Sequence, residues 1–131
     1  MDGTITLWRP VGADELQKLI DSGMRAFPPR LPGQPIFYPV LNIEYARQIA
    51  RQWNARGDGA GFVTEFDVDA HYLSNFEIHR VGSRVHDEYW IPAERLEEFN
   101  RHIQGPIRVV ESHFGTEYAG QTFEELRGHG E

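Results

Sequence analysis

The chain contains no cysteine. That excludes disulfides, thiolate metal sites and cysteine nucleophiles together. It has a single lysine, Lys18, beside twelve arginines. No apolar run approaches the ~20 residues that a membrane-spanning helix requires. The opening Met1-Asp2-Gly3-Thr4 lacks the basic and apolar regions of a signal peptide. A cytoplasmic protein without a membrane partner is expected. GxGxxG, P-loop, GxSxG and HExxH patterns are also missing.

What is present is one domain's worth of ordinary globular sequence. The 131 residues are 40% apolar and 25% charged. Twenty acidic residues against thirteen basic ones leave a net charge of −7. That balance opposes nonspecific nucleic-acid binding. It still permits a small anionic ligand, because a cleft can be locally positive inside an acidic protein. Arginine suits bidentate recognition of phosphate and carboxylate; a GC-rich genome is the simpler source of the arginine bias.

Hydrophobic periodicity divides the chain into short elements. Residues 4–9 alternate as a strand, with Ile5, Leu7 and Arg9 on one face and Pro10 as its stop. Gly12 to Gly23 reads as a helix with stripe Ala13, Leu16, Leu19 and Ile20, and Gly23 supplies its left-handed terminus. Residues 24–35 carry four of the eight prolines and no periodicity, the mark of a lid or binding loop. Ile36-Phe37-Tyr38 is a short strand, and Asn42 caps a helix running to Trp53. Further strands are expected at 62–68, 76–81, 88–91 and 107–110, with a helix from Pro92 to Ile103 broken by Gly105-Pro106. The order gives an α+β domain over residues 1–114, a curved and mostly antiparallel sheet flanked by helices. Residues 115–131 read as a weakly ordered polar tail.

Metal-ligand signals are weak. The six histidines are scattered, and Glu65, Asp67 and Asp69 read as the solvated face of a strand. No metal is expected. Three other residues stand out. Arg9 ends an apolar strand face, either as half of a structural ion pair or as a cation aimed into a cleft. Tyr38 is either a core aromatic with its hydroxyl at the edge or a ring at a strand end. Glu88 lies between His86-Asp87 and Tyr89-Trp90-Ile91, a carboxylate flanked by large aromatics.

These segments carry a resemblance. Leu7-Trp8-Arg9-Pro10-Val11, Phe27-Pro28-Pro29-Arg30, Pro35-Ile36-Phe37-Tyr38-Pro39-Val40-Leu41-Asn42 and Glu88-Tyr89-Trp90-Ile91-Pro92-Ala93 resemble small bacterial proteins labelled "ADP-ribosylation/crystallin J1". The likeness spans about residues 5–112. The label points to ADP-ribosylglycohydrolases, which are all-helical, about twice as long and magnesium-binding, and nothing here matches them. The element order looks instead like the ADP-ribosyltransferase superfamily. There a first strand carries His or Arg, a second carries Tyr or Ser before a helix, and a later strand carries Glu. Arg9, Tyr38 and Glu88 stand at those three places.

The resemblance implies an ADP-ribosyltransferase-like fold with NAD as substrate, for ADP-ribosyl transfer or NAD hydrolysis. It makes Glu88, Arg9 and Tyr38 the catalytic candidates, and Arg30, Phe37, Tyr45 and His86 the substrate-binding ones. An arginine can hold a ribose or pyrophosphate, a tyrosine ring can stack on nicotinamide, and a carboxylate can stabilise an oxocarbenium-like state. His86 stands where many protein-modifying members have Gln or Glu, so the acceptor is left open. The alternative is a non-catalytic nucleotide- or protein-binding module on the same fold. A domain whose proline loop is its contact surface is the third reading.

Overall fold

The structure, a computed structural model, describes residues 3–54, 59–82 and 86–114. It is α+β, and every strand pairing within the described residues is antiparallel. Strand β1 (Thr4–Val11) leads into helix α1 (Ala13–Asp21), then the proline-rich loop and β2 (Ile36–Phe37). Helix α2 (Ile43–Ile49) continues as a π-helical turn, Ala50–Asn54, before the long β3 (Ala60–Asp69). A single helical turn, α3 (Ala70–Leu73), precedes β4 (Ile78–Arg80), β5 (Asp87–Tyr89) and β6 (Ile91–Pro92). A 3-10 turn (Ala93–Arg95), α4 (Leu96–Arg101) and β7 (Ile103–Phe114) complete the described chain. No helix among the described residues is long and apolar enough to cross a membrane.

The main sheet has the order β1-β3-β7, and Val40 extends it by bridging Trp8 of β1 to Glu88 of β5. Beyond β5 lies β4, while β2 and β6 form a separate pair. The alternation expected on β1 and β3 is present. Leu7, Arg9 and Val11 turn inward opposite Phe66, Thr64 and Phe62. Against them pack Phe27, Phe37 and Phe99, with ring centroids 4.9 Å apart for Phe27–Phe66 and 5.4 Å for Phe37–Phe99. A second, smaller cluster on the other face of β3 joins Val63 to Val40, Ala46 and Ala50.

Helix ends follow local chemistry. Gly23, at φ +76°, closes α1: its N–H donates to Ile20 O, and the Met24 N–H donates to Leu19 O. The Asn42 side chain caps α2 by accepting from Glu44 N at 2.7 Å.

Several boundaries differ from the sequence reading. Pro10 does not stop β1. Trp8 exchanges both backbone bonds with Val40, so its polar groups point away from β3. Pro10, two residues on, has the same orientation, and its missing N–H falls on that outer side. The expected strand 88–91 is two strands, because β5 pairs with β4 and β6 with β2. Pro92 therefore belongs to β6, the helix begins at Leu96, and Ile103 opens β7. Gly105-Pro106 lies inside β7, where Gly105 at φ +78° helps form a bulge facing the Glu65–Asp67 stretch. The expected tail at 115–131 falls outside the described residues.

The proline-rich loop is tied at its ends, where Ile107 N donates to Met24 O and Ala93 N donates to Pro35 O, and by a side-chain clamp at Phe27. Phe27 is buried, and the Asn100 side chain accepts from its N–H and donates to its C=O, each at 2.9 Å. Asn100→Ala leaves both backbone groups without that partner and should cost about 1–3 kcal/mol. Arg101→Ala, which removes only an exposed pair with Glu97, should change stability by less than about 0.5 kcal/mol. Urea denaturation of both variants checks this; equal midpoints would show that Asn100 does not hold the loop.

Candidate functional site

The main cleft has a volume of about 920 Å³, within the range of roughly 300–1,000 Å³ usual for small-molecule sites. Four stretches of chain enclose it: the β1–α1 junction, the proline-rich loop, the segment from Tyr38 through α2, and the β4–β5 end with Trp90. Arg9, Tyr38 and Glu88 all line it, as do Arg30, Tyr45 and His86. Arg9 and Glu88 are the two charged residues buried among the described residues. Burying a charge is costly unless it is paired or hydrogen-bonded, and each has its own arrangement of partners.

Arg9 ends the inward face of β1, and Glu15 sits in the first turn of α1. The tight turn between them brings the two side chains together. Arg9 Nε donates to Glu15 Oε2 at 2.8 Å and Nη2 donates to Oε1 at 3.0 Å, a two-point grip. The guanidinium carbon lies 4.6 Å from the centroid of the Phe37 ring. Thr64 Oγ1 donates to Arg9 O at 2.7 Å and fixes the backbone there. Arg30 reaches the same wall from the proline loop, its Nε donating to Ile36 O at 3.1 Å. Burial, and then the nearby Arg9 charge, lower the Arg30 pKa from its ordinary value, while Glu15 and Tyr38 work the other way. Glu15 thus pairs directly with Arg9, and its charge is also felt at Arg30.

Glu88 is held differently. Tyr45 Oη donates to its Oε2 at 3.0 Å, and Trp90 Nε1 donates to its Oε1 at 2.8 Å. No cation pairs with it among the described residues. Burial, and then the Glu88 charge, push the Tyr45 phenol up from 10.0 to about 12. Beside Tyr45 lies His86, ring centroids 4.5 Å apart. The His86 Nδ1–H donates to Val81 O, because a carbonyl can only accept, and Nε2 meets Gln48 Oε1 at 2.9 Å. Gly82 lets this imidazole in: it has φ +100°, and a Cβ there would stand 3.0 Å from Nδ1. Tyr38 belongs to both groups, standing edge-on to Trp90 at 6.0 Å and coupled electrostatically to Arg30.

Phe37, expected as a substrate contact, is not part of the cleft lining. It is fully buried between Phe27 and Phe99. Alternation explains this: with Tyr38 turned outward, its neighbour turns inward. Its link to the site is indirect, as the ring under Arg9. The polar face of β3 also has a plain explanation, since Glu65 and Asp67 both meet Arg108. The sequence reading missed Glu15, six residues after Arg9 across a tight turn, and Gln48 with Gln52, one helical turn apart on the cleft side of α2 and its π-helical end. In the sequence Trp90 reads as a flanking aromatic; in the structure it is a donor to Glu88. Seven large apolar or aromatic side chains are exposed among the described residues, and four of them, Leu31, Tyr38, Val81 and Trp90, line this cleft. Such clustering marks a binding surface.

No protein-family model matches the chain, and no curated protein or solved structure matches it significantly.

Tyr45 gives the site a pH signature. Its folded-state pKa is raised, so the neutral phenol's stabilising contribution is whole below the ordinary value of 10.0 and is lost as pH climbs towards about 12. Tyr45→Phe should start less stable and then lose less stability across that interval than the wild type does. Urea midpoints measured through the alkaline range check it. Parallel curves would mean that the phenol is not coupled to Glu88.

Proposed function

We propose that the chain is a cytoplasmic, ADP-ribosyltransferase-like protein that takes NAD as substrate, transferring ADP-ribose to an acceptor or to water. The observation supporting this is the meeting of two buried charges of opposite sign, Arg9 and Glu88, with the exposed ring of Tyr38 on one cleft. They come from separate parts of the chain, in the order that the superfamily resemblance implies.

In this reading the dinucleotide lies along the cleft. Arg9, through its remaining Nη1 donors, and Arg30 hold the pyrophosphate. The nicotinamide ribose lies by Glu88. Each Glu88 oxygen accepts one bond from Tyr45 or Trp90 and keeps acceptor capacity for a ribose hydroxyl. The bond between ribose C1′ and the pyridinium nitrogen breaks, and its electron pair stays on nitrogen, giving neutral nicotinamide. The sugar passes through an oxocarbenium-like state that the carboxylate stabilises. Water or an acceptor nucleophile then attacks C1′ and releases a proton. Two neutral donors orient the carboxylate without cancelling its charge, which suits that role.

One observation favours the alternative, a non-catalytic nucleotide- or protein-binding module. Glu15 already takes the Nε and Nη2 donors of Arg9, so that arginine serves the fold as well as any ligand.

Glu88→Gln separates the two readings. It keeps shape and hydrogen-bonding oxygen and removes charge. Nicotinamide release should fall on the order of a hundredfold or more, with NAD affinity changed much less, because the lost interaction acts on the transition state. Arg30→Ala should weaken NAD binding by ~1.5–3 kcal/mol. Nicotinamide release and a separate NAD titration supply both readings. NAD bound by a wild type that never releases nicotinamide would select the binding module, and absence of NAD binding would remove both nucleotide readings.

A further inference from the structure

We propose that the Glu88 end of the cleft is a receptor for a compact organic cation of the methylated-ammonium class. This goes beyond the nucleotide reading and does not rest on it; it needs only Glu88 and the rings around it.

A carboxylate 7% exposed is the negative charge of this half of the cleft. Its two hydrogen-bond donors, the Tyr45 hydroxyl and the Trp90 indole N–H, are neutral. No Lys, Arg or His pairs with it among the described residues, whereas Glu15, Glu65, Glu98 and Glu111 all have an arginine partner. These hydrogen bonds meet the cost of burying Glu88 without neutralising it, so a cation entering the cleft meets an uncancelled negative charge.

The surrounding walls fit such a guest. Tyr38 and Trp90 meet almost at right angles, 88°, and both line the cleft beside Tyr45. Their π faces are electron-rich, and two perpendicular rings beside a carboxylate, which sits at the N–H edge of Trp90, are suited to a cation with apolar substituents. Trp90 is held rigidly: its N–H bonds Glu88, and His79 stacks on it at 3.9 Å and 9°. Trp90 nevertheless stays 40% exposed, and Tyr38 37%. A metal ion is a poor fit, since the described residues hold no group of three His, Asp or Glu placed to share one. A primary ammonium ion keeps its water shell more tightly than a methylated one does, so aromatic walls favour the methylated ion.

The test uses tetramethylammonium and its uncharged near-isostere tert-butanol, titrated into the whole chain with tryptophan fluorescence and NMR chemical shifts as readouts. The cation should bind on the order of tenfold more tightly than the alcohol. Glu88→Gln should reduce that preference several-fold, and Trp90→Leu should weaken the cation without helping the alcohol. Equal affinity of the two probes for the wild type would overturn the proposal, and so would failure of both to bind. That comparison uses the wild type alone and so does not depend on how either variant folds. NAD binding without charge preference between the probes would overturn this inference and leave the nucleotide reading in place. A preference for tetramethylammonium without NAD binding would do the reverse.

Discussion

A one-residue strand at Val40 sets the position of everything in the cleft. Its N–H donates to Trp8 O at 2.8 Å and its C=O accepts from Trp8 N at 3.0 Å. On the other side Leu41 N donates to Asp87 O and Tyr89 N donates to Pro39 O. Four backbone bonds over three residues thus join β1 to β5. Among the described residues, the array β7-β3-β1-Val40-β5-β4 is joined through this point. Arg9 follows Trp8 in β1, and Glu88 is the residue facing Val40 from β5. The narrowness of the bridge is what lets a cleft open there. A full strand would fill the space with a ladder, whereas one residue connects the two halves and leaves Tyr38 free on one side and α2 on the other.

The same geometry explains which parts of the protein were legible in sequence. Signals decided within a few residues hold up: Gly23 as a left-handed terminus, Asn42 as a cap, the alternation of Ile5, Leu7 and Arg9 along β1. Proline is not legible from local sequence where its effect depends on a neighbouring strand. Pro10 would break a central strand, yet it is harmless on the outer side of β1. Pro106 beside Gly105 would end a helix, yet inside a bulge it removes no needed ladder bond. Which case applies is settled by the opposite strand, and the local sequence does not carry that.

For the site, residue type was legible and pairing was not. Arg9, Tyr38, Arg30, Tyr45, His86 and Glu88 meet on one cleft. The partners that define their chemistry lie elsewhere. Glu15 reaches Arg9 because α1 turns back at once after β1, and Tyr45 reaches Glu88 across 43 residues of sequence. Phe37 shows the converse. Its alternation with Tyr38 already placed it inward, and grouping it with its neighbours as a ligand contact overlooked the period of two.

The cleft's two halves have opposite electrostatic balances, and this follows from how each charge is satisfied. On the Arg9 side two guanidiniums stand against the single carboxylate of Glu15, which pairs with Arg9, so the wall keeps one positive charge in excess, with Asp14 and Lys18 offsetting each other nearby. Glu15 also relieves the repulsion between the arginines, which is why it opposes the lowering of the Arg30 pKa. On the Glu88 side the donors are neutral, so one negative charge remains in excess. In a chain of net charge −7 the first half attracts anions only at short range, inside the cleft where the arginines dominate. The second half acts with the surrounding acidic field. A ligand that matches both halves at once carries negative charge at one end and a cationic or electron-poor group at the other. Oxidised NAD, with its pyrophosphate and pyridinium, has that polarity. A simple anion would satisfy the Arg9 side alone and leave the carboxylate without a counter-charge.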